Sequence, residues 1–206
     1  MHREPGDPFV PVPALGRGGS SKAGLCSVSE MSTEDVLRSL IREVPDWPAP
    51  GVSFKDITPL LADSTAFDSA VETLASHFVD REVTHVLGIE ARGFVLAAPV
   101  ALRLGAGFVP VRKPGKLPWR TRAQSYDLEY GADQLQIHTD AVVPGDRVLI
   151  VDDVLATGGT ASAAVRLVES AGVELVGLGF LLELGFLGGA GRLPDGRHVS
   201  LLNYSS

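Results

Sequence analysis

Apolar positions along the chain alternate between helical and strand spacing. Val36, Leu37, Leu40, Ile41 and Val44 fall on one helical face, and Ser32 with Asp35 three residues on has the form of a capping box at its start. Pro45, Pro48 and Pro50 forbid continuation. A second amphipathic helix follows Asp63-Ser64-Thr65, with Phe67, Val71, Leu74, Ala75 and Phe78 along one stripe. Residues 85–89 then read as a buried strand, 94–104 as a helix ended at Gly105, and 107–111 as another strand. Residues 147–151 form the clearest central strand, followed by a helix from about 160 to 171 and a strand over 173–182. Strands alternating with helices predict an α/β fold: a central, mainly parallel sheet flanked by helices, joined by right-handed crossovers.

Two segments break this rhythm. Residues 1–30 are rich in Pro, Gly and Ser without either periodicity, so they are expected to be a disordered extension, with order from residue 31 onward. Residues 116–137 are polar and punctuated by Pro118 and Gly131, too irregular for a crossover helix. A loop of that length inside a compact domain reads as a lid.

Composition narrows the ligands. The 206 residues are 45% hydrophobic and 21% charged, with a net charge of −7. That balance argues against broad binding of nucleic acid or an anionic membrane, so an anionic ligand must be met by local cations and backbone dipoles. The one cysteine, Cys26, can form no internal disulfide, which fits a reducing cytoplasm. No stretch approaches the roughly 18–20 apolar residues of a membrane span.

The densest chemistry is Val148-Leu149-Ile150-Val151-Asp152-Asp153-Val154-Leu155-Ala156-Thr157-Gly158-Gly159-Thr160. A strand ends in two carboxylates, a short loop carries two glycines between threonines, and a helix begins. Such a position, at the carboxyl end of a strand in an open α/β sheet, is where ligands bind. Gly158 and Gly159 permit close approach, so loop amides and the first-turn N–H groups can converge on one phosphate. Thr157 and Thr160 add hydroxyl donors. Asp152 and Asp153 would repel phosphate but suit ribose hydroxyls or a hydrated magnesium ion. A P-loop would need Lys-Ser or Lys-Thr after the second glycine, and a dinucleotide fold would need G-x-G-x-x-G directly after its strand.

Three further strings look functional. In Gly88-Ile89-Glu90-Ala91-Arg92-Gly93-Phe94, Arg92 stands at a second strand-to-helix turn, where its guanidinium could fork onto pyrophosphate. Arg112, Lys113 and Lys116 end the next strand as a polyanion subsite. Ser125-Tyr126-Asp127-Leu128-Glu129-Tyr130-Gly131 offers Tyr126 and Tyr130 to cover a sugar or base, and Glu129 as an acid–base candidate. Near the start, the proline-stiffened stretch 48–59 offers Phe54 for stacking a planar base, with backbone groups around Val52 and Lys55 to read its edge.

These strings resemble a family. V-D-D-x-x-A-T-G-G-T is similar to the phosphoribosyl pyrophosphate motif of the type I phosphoribosyltransferases. The G-I-E-A-R-G-F, R-K-P-G-K-L-P, S-Y-D-L-E-Y-G and P-G-V-S-F-K-D-I-T-P strings resemble those of the adenine phosphoribosyltransferases. The resemblance runs from Val36 to Tyr204. It departs at Trp119-Arg120 and across the glycine-rich residues 185–197, stretches expected to touch no motif residue. It implies a type I phosphoribosyltransferase fold with an N-terminal hood and a flexible lid loop. It also implies transfer of a phosphoribosyl group from phosphoribosyl pyrophosphate to adenine, giving AMP and pyrophosphate in purine salvage. Ala156, Thr157, Gly158, Gly159 and Thr160 would hold the 5′-phosphate, and Asp152 and Asp153 would face the ribose. Val52, Phe54 and Lys55 would bind the base, with Tyr130 also at the substrates. The candidate catalytic residues are Arg92, Lys116, Glu129 and Asp153, with Arg92 and Lys116 on the leaving pyrophosphate. Magnesium would arrive mainly bound to phosphoribosyl pyrophosphate, with no dedicated protein cage. A homodimer is the implied assembly, and a tight turn with a cis Glu90-Ala91 peptide the implied geometry beside Arg92. Two rivals share the phosphate loop: an enzyme for another purine such as xanthine, and a regulator that binds phosphoribosyl pyrophosphate without turnover.

Overall fold

The computed structural model describes residues 31–127 and 132–205. The expected N-terminal extension, Glu129 and Tyr130 lie outside the described residues.

The chain enters through helix α1, Thr33–Ser39, capped as expected: Ser32 Oγ accepts from the Asp35 amide at 3.1 Å, and the Asp35 carboxylate accepts from the Ser32 amide at 3.3 Å. The helix is shorter than its stripe suggested. Ile41 and Val44 lie beyond its end, because residues 42–44 form strand β1, Arg42–Val44, paired antiparallel with β2, Phe54–Asp56. The proline-rich connection closes this hairpin. Asp46 takes a left-handed φ of 56°, and its carboxylate accepts the Gly51 amide at 2.7 Å. Backbone pairing across the hairpin thus overrides the helical periodicity of a short segment.

A short helix that the spacing did not signal follows: α2, Thr58–Ala62, started by Pro59 and by Asp56, which accepts the Thr58 amide at 2.9 Å. Helix α3, Ser64–Ser76, is capped by Asp63 as expected, its carboxylate accepting the Thr65 and Ala66 amides. Strand β3, His85–Ile89, helix α4, Gly93–Leu104, and strand β4, Gly107–Val111, match their predicted spans within a residue.

The stretch expected to be an irregular lid is largely a hairpin of β5, Thr121–Asp127, and β6, Ala132–His138, in continuous antiparallel register. Its alternation is hard to read because polar residues such as Gln124, Gln134 and Gln136 outnumber the apolar ones; among the described side chains Tyr126, Leu135 and Ile137 turn into the core. Strand β7, Arg147–Leu155, runs past its predicted end and carries both aspartates. Helix α5, Gly159–Ala171, strand β8, Glu174–Leu184, and strand β9, His198–Tyr204, complete the chain.

The five-stranded sheet has order β4-β3-β7-β8-β9, every neighbouring pair parallel. Alternation along β7 divides the core. Val148 and Ile150 face α5 and the β5–β6 hairpin, while Leu149 and Val151 face α1–α4. A parallel sheet covered on both faces leaves its carboxyl edge as the open place for ligands.

Candidate active site

Segments far apart in sequence converge at that edge. Strand β7 delivers Asp152 and Asp153, and the chain then turns through Ala156-Thr157-Gly158 into α5. Gly158 has a φ of 78°, a conformation in which a side chain would be strained, and its carbonyl accepts the Ser162 amide at 2.9 Å. The amides of the first turn of α5 have no partner within the helix, so they remain available to an anion.

Asp153 is buried, its side chain 9% exposed, and its Oδ2 lies 2.8 Å from Arg92 Nη2. Its amide donates to Asp152 Oδ1 at 2.9 Å. Burial and the neighbouring Asp153 charge push the Asp152 carboxyl well above the ordinary carboxylate range. Burial also raises Asp153, against the opposing pull of the Arg92 guanidinium. Two crowded carboxyls held towards their neutral forms can accept ribose hydroxyl hydrogen bonds, and a nearby cation would relieve their repulsion. Among the described residues no group of three or more side chains could cage a metal ion. Asp152 and Asp153 are the carboxyl groups at this edge that could meet a cation brought in by a substrate.

Arg92 sits at the turn into α4, next to the Glu90-Ala91 peptide, which is cis as the resemblance implied. Beside it, Glu90 is almost enclosed at 6% side-chain exposure and gathers cations: Arg112 Nε at 2.8 Å and Lys116 Nζ at 3.3 Å. Burial alone would raise its carboxyl, but hydrogen bonds from Arg112, the Lys113 amide and Lys116 hold it below the ordinary value. Lys113 pairs with Asp133 at 2.8 Å, and the Tyr126 hydroxyl donates to the same carboxylate at 3.1 Å.

Two cavities adjoin here. One, of about 270 Å³, is lined by groups including Glu90, Arg92, Lys113, Tyr126, Asp153 and Thr160. The other, of about 300 Å³, is mostly apolar, with Val52, Phe54, Lys55, Ala156 and Leu184 among its walls. Arg92 and Asp153 line both. The Arg92 guanidinium lies 5.0 Å from the Phe54 ring centroid, and Trp47 meets Phe54 edge-on at 4.4 Å. Lys55, also on the wall, pairs its ammonium with Glu43 at 3.0 Å.

The sequence-predicted residues Val52, Phe54, Lys55, Arg92, Asp152, Asp153, Ala156 and Thr160 are thus brought together, with Ala156 on the apolar cavity rather than the polar one. Thr157, Gly158 and Gly159 form the adjoining turn, and Lys116 stands outside the cavity linings, against Glu90. Sequence reasoning missed the parts played by Glu90, Asp133 and Trp47. Asp133 faces Tyr126 directly across the hairpin, a signal that emerges only once that pairing is recognised.

Comparisons with known proteins agree with this geometry. The pattern of the phosphoribosyl transferase domain matches residues 61–200. An adenine phosphoribosyltransferase of Thermobifida fusca is 59% identical over 167 residues, covering 80% of this chain and 95% of that protein. The chain belongs to the adenine phosphoribosyltransferase family. Solved structures of the family superpose on it. That of the Thermoanaerobacter pseudethanolicus protein gives a TM-score of 0.80 at 50% identity, covering 83% of this chain and 99% of that one. The Saccharomyces cerevisiae protein, complexed with an imino-altritol bisphosphate and adenine, gives 0.78 at 36% identity, covering 82% and 98%. The type I phosphoribosyltransferase fold expected from the sequence is the fold observed.

Proposed function

We propose that the chain transfers the phosphoribosyl group of phosphoribosyl pyrophosphate to adenine, releasing AMP and pyrophosphate, as a step of purine salvage. The observation that carries this reading is the pair of adjoining cavities that share Arg92 and Asp153, one polar and lined by Arg92, Lys113 and the carboxyl groups of Glu90, Asp152 and Asp153, the other apolar and walled by an aromatic ring. A base in the second cavity and a phosphorylated sugar in the first would meet at that shared wall. The Saccharomyces cerevisiae relative was solved in complex with both adenine and an imino-altritol bisphosphate, which supports a protein that takes a base together with a phosphorylated partner.

In the reaction a purine nitrogen forms a bond to ribose C1 while the bond from C1 to pyrophosphate oxygen breaks. The electron pair leaves with pyrophosphate, and the purine nitrogen gives up its proton. The amides of Gly159 and Thr160 and the Thr160 hydroxyl bind the 5′-phosphate, and Asp152 and Asp153 accept hydrogen bonds from the ribose hydroxyls. Arg92 and Lys116 bind the departing pyrophosphate, with Lys116 released from Glu90 to do so. Phe54 orients the base, and backbone groups of residues 52–55 read its edge. Glu129, outside the described residues, is the candidate to move the purine proton. Magnesium, brought in mainly on phosphoribosyl pyrophosphate and met by Asp152 and Asp153, would supply further neutralisation of the leaving group. Positioning, charge stabilisation and exclusion of water account for such a reaction without an enzyme nucleophile.

Adenine presents an exocyclic amine that donates beside a ring nitrogen that accepts, where oxopurines present a carbonyl beside a protonated nitrogen. A backbone carbonyl and amide reading that edge can discriminate by roughly 10⁴ or more, since the wrong base leaves buried groups unpaired. A homodimer in the cytoplasm completes the reading; among the described residues no helix is long and apolar enough to cross a membrane.

The test is an assay with phosphoribosyl pyrophosphate and each free base in turn. Adenine is expected to be converted and the oxopurines barely so. Comparable turnover of guanine or xanthine would overturn the substrate, and binding of phosphoribosyl pyrophosphate with no turnover of any base would make the protein a regulator.

A further inference from the structure

The glycine-rich stretch after β8 was expected to touch no motif residue. The structure corrects this: residues 189–192 form a single 3-10 turn whose first residue, Gly189, lies directly against the loop between β7 and α5. A Cβ built on Gly189 would overlap the Ala156 carbonyl oxygen and sit 2.9 Å from the Gly158 nitrogen and 3.0 Å from the Ala156 carbonyl carbon. In the reverse direction, a Cβ on Gly158 would overlap the Gly189 carbonyl oxygen and come within 3.1 Å of its carbonyl carbon. Backbone therefore meets backbone, with no flexible side chain between them to give way.

The segment that bears Gly189 is itself anchored. Leu193 is buried in the same core as α5, and Ala190 packs against that core. Gly189 lines neither cavity. It can reach a ligand only through the loop it supports.

We propose that Gly189 is a positioning residue for the phosphate loop, fixing the Ala156–Gly158 backbone so that the amides beginning α5 converge on the 5′-phosphate. This rests on the reading of that loop as a phosphate site. A methyl at position 189 must displace either the anchored turn or the loop, and a displacement on the order of 1 Å is enough to misalign hydrogen-bond donors. The loss then falls most heavily on ligands that carry the 5′-phosphate, with a smaller effect on the base through Ala156, which walls the apolar cavity. Gly191 supplies a control two residues away, because a Cβ there meets nothing within 4 Å and its backbone is not in the left-handed region.

The experiment measures binding of AMP, ribose 5-phosphate and adenosine to the wild-type full chain, to Gly189→Ala and to Gly191→Ala. Gly189→Ala is expected to weaken AMP and ribose 5-phosphate at least tenfold and to raise KM for phosphoribosyl pyrophosphate by a similar factor. Adenosine affinity should fall far less, by no more than about threefold through Ala156, and Gly191→Ala should match wild type throughout. Equal AMP affinity in Gly189→Ala and wild type would overturn the role of Gly189 while leaving the loop assignment intact. Equal losses for adenosine and AMP would overturn it too, by showing general damage to the site. A wild-type chain that binds neither AMP nor ribose 5-phosphate would remove the loop assignment and this proposal with it. If Gly189→Ala does not fold, hydrogen exchange on wild type decides. Protection of residues 185–191 on adding ribose 5-phosphate, but not adenine, supports the coupling; no change in that segment overturns it.

Discussion

Replacing Arg92 by alanine separates the electrostatics of the site from its chemistry. The guanidinium is 2.8 Å from Asp153 and rests over the Phe54 ring. Removing one partner of a fully buried pair costs about 3–5 kcal/mol, whereas an exposed pair contributes about 0.2–1 kcal/mol. Asp153 is 9% exposed but Arg92 is 38% exposed, which places the loss between these limits. With the ring contact adding about 0.5–1 kcal/mol, the total is about 2 kcal/mol near pH 8. For a domain of this size that is a fall in melting temperature of about 4–8 °C.

The loss should depend on pH in a definite direction. Without the guanidinium, the Asp153 carboxyl, already raised by burial, rises further above its unfolded value of about 3.9. The folded chain then holds a proton that the unfolded chain releases, so stability drains away as pH rises through the folded pKa. Asp152, the other carboxyl facing this group, acts in the same sense. Melting of Arg92→Ala and wild type without ligands, at pH 5.5 and pH 8, is the assay, and the gap should be clearly wider at pH 8. An equal gap at both values would show that the ion pair is not what the substitution removes, and the assignment of Asp153 as a buried charge would fail.

Asp152→Asn removes one of two buried carboxyls held towards their neutral forms, so its melting temperature should decline less from pH 5 to 8 than that of wild type, with the slope from Asp153 remaining; parallel curves would contradict the shift of Asp152. Asp153→Asn should lower turnover by about a hundredfold or more, while moving the melting temperature by only about 3 °C; a near-wild-type rate would remove its place at the ribose. Phe54→Ala should raise KM for adenine about tenfold and that for phosphoribosyl pyrophosphate far less, consistent with loss of about 1.4 kcal/mol of base contact; equal changes would argue against stacking. Chelating magnesium should suppress transfer and adding it back should restore the rate; full activity in excess chelator would exclude the ion from the reaction.

How much could be read in advance depended on how chemistry is distributed along the chain. The loop from Asp152 to Thr160 was legible because a contiguous string holds its strand, carboxylates, glycines and helix start. Phe54 was legible because prolines fence off its segment. The β5–β6 hairpin was not, since its buried apolar residues Tyr126, Leu135 and Ile137 are few among polar neighbours. The short β1 was masked by apolar spacing that suited a helix equally well. The Glu90–Lys116 and Lys113–Asp133 pairs depend on which strands lie side by side, as does the contact of Gly189 with Gly158. No local pattern in the sequence records such proximities.

The wall shared by the two cavities limits how such a protein can diverge. Arg92 and Asp153 line both cavities, so under the proposed reading a substitution there that improves the fit of a new base also disturbs the transfer step. Val52 and Leu184 border the apolar cavity alone. Drift in base preference has its open route through those two positions, and a search for variants that accept altered purines would begin there.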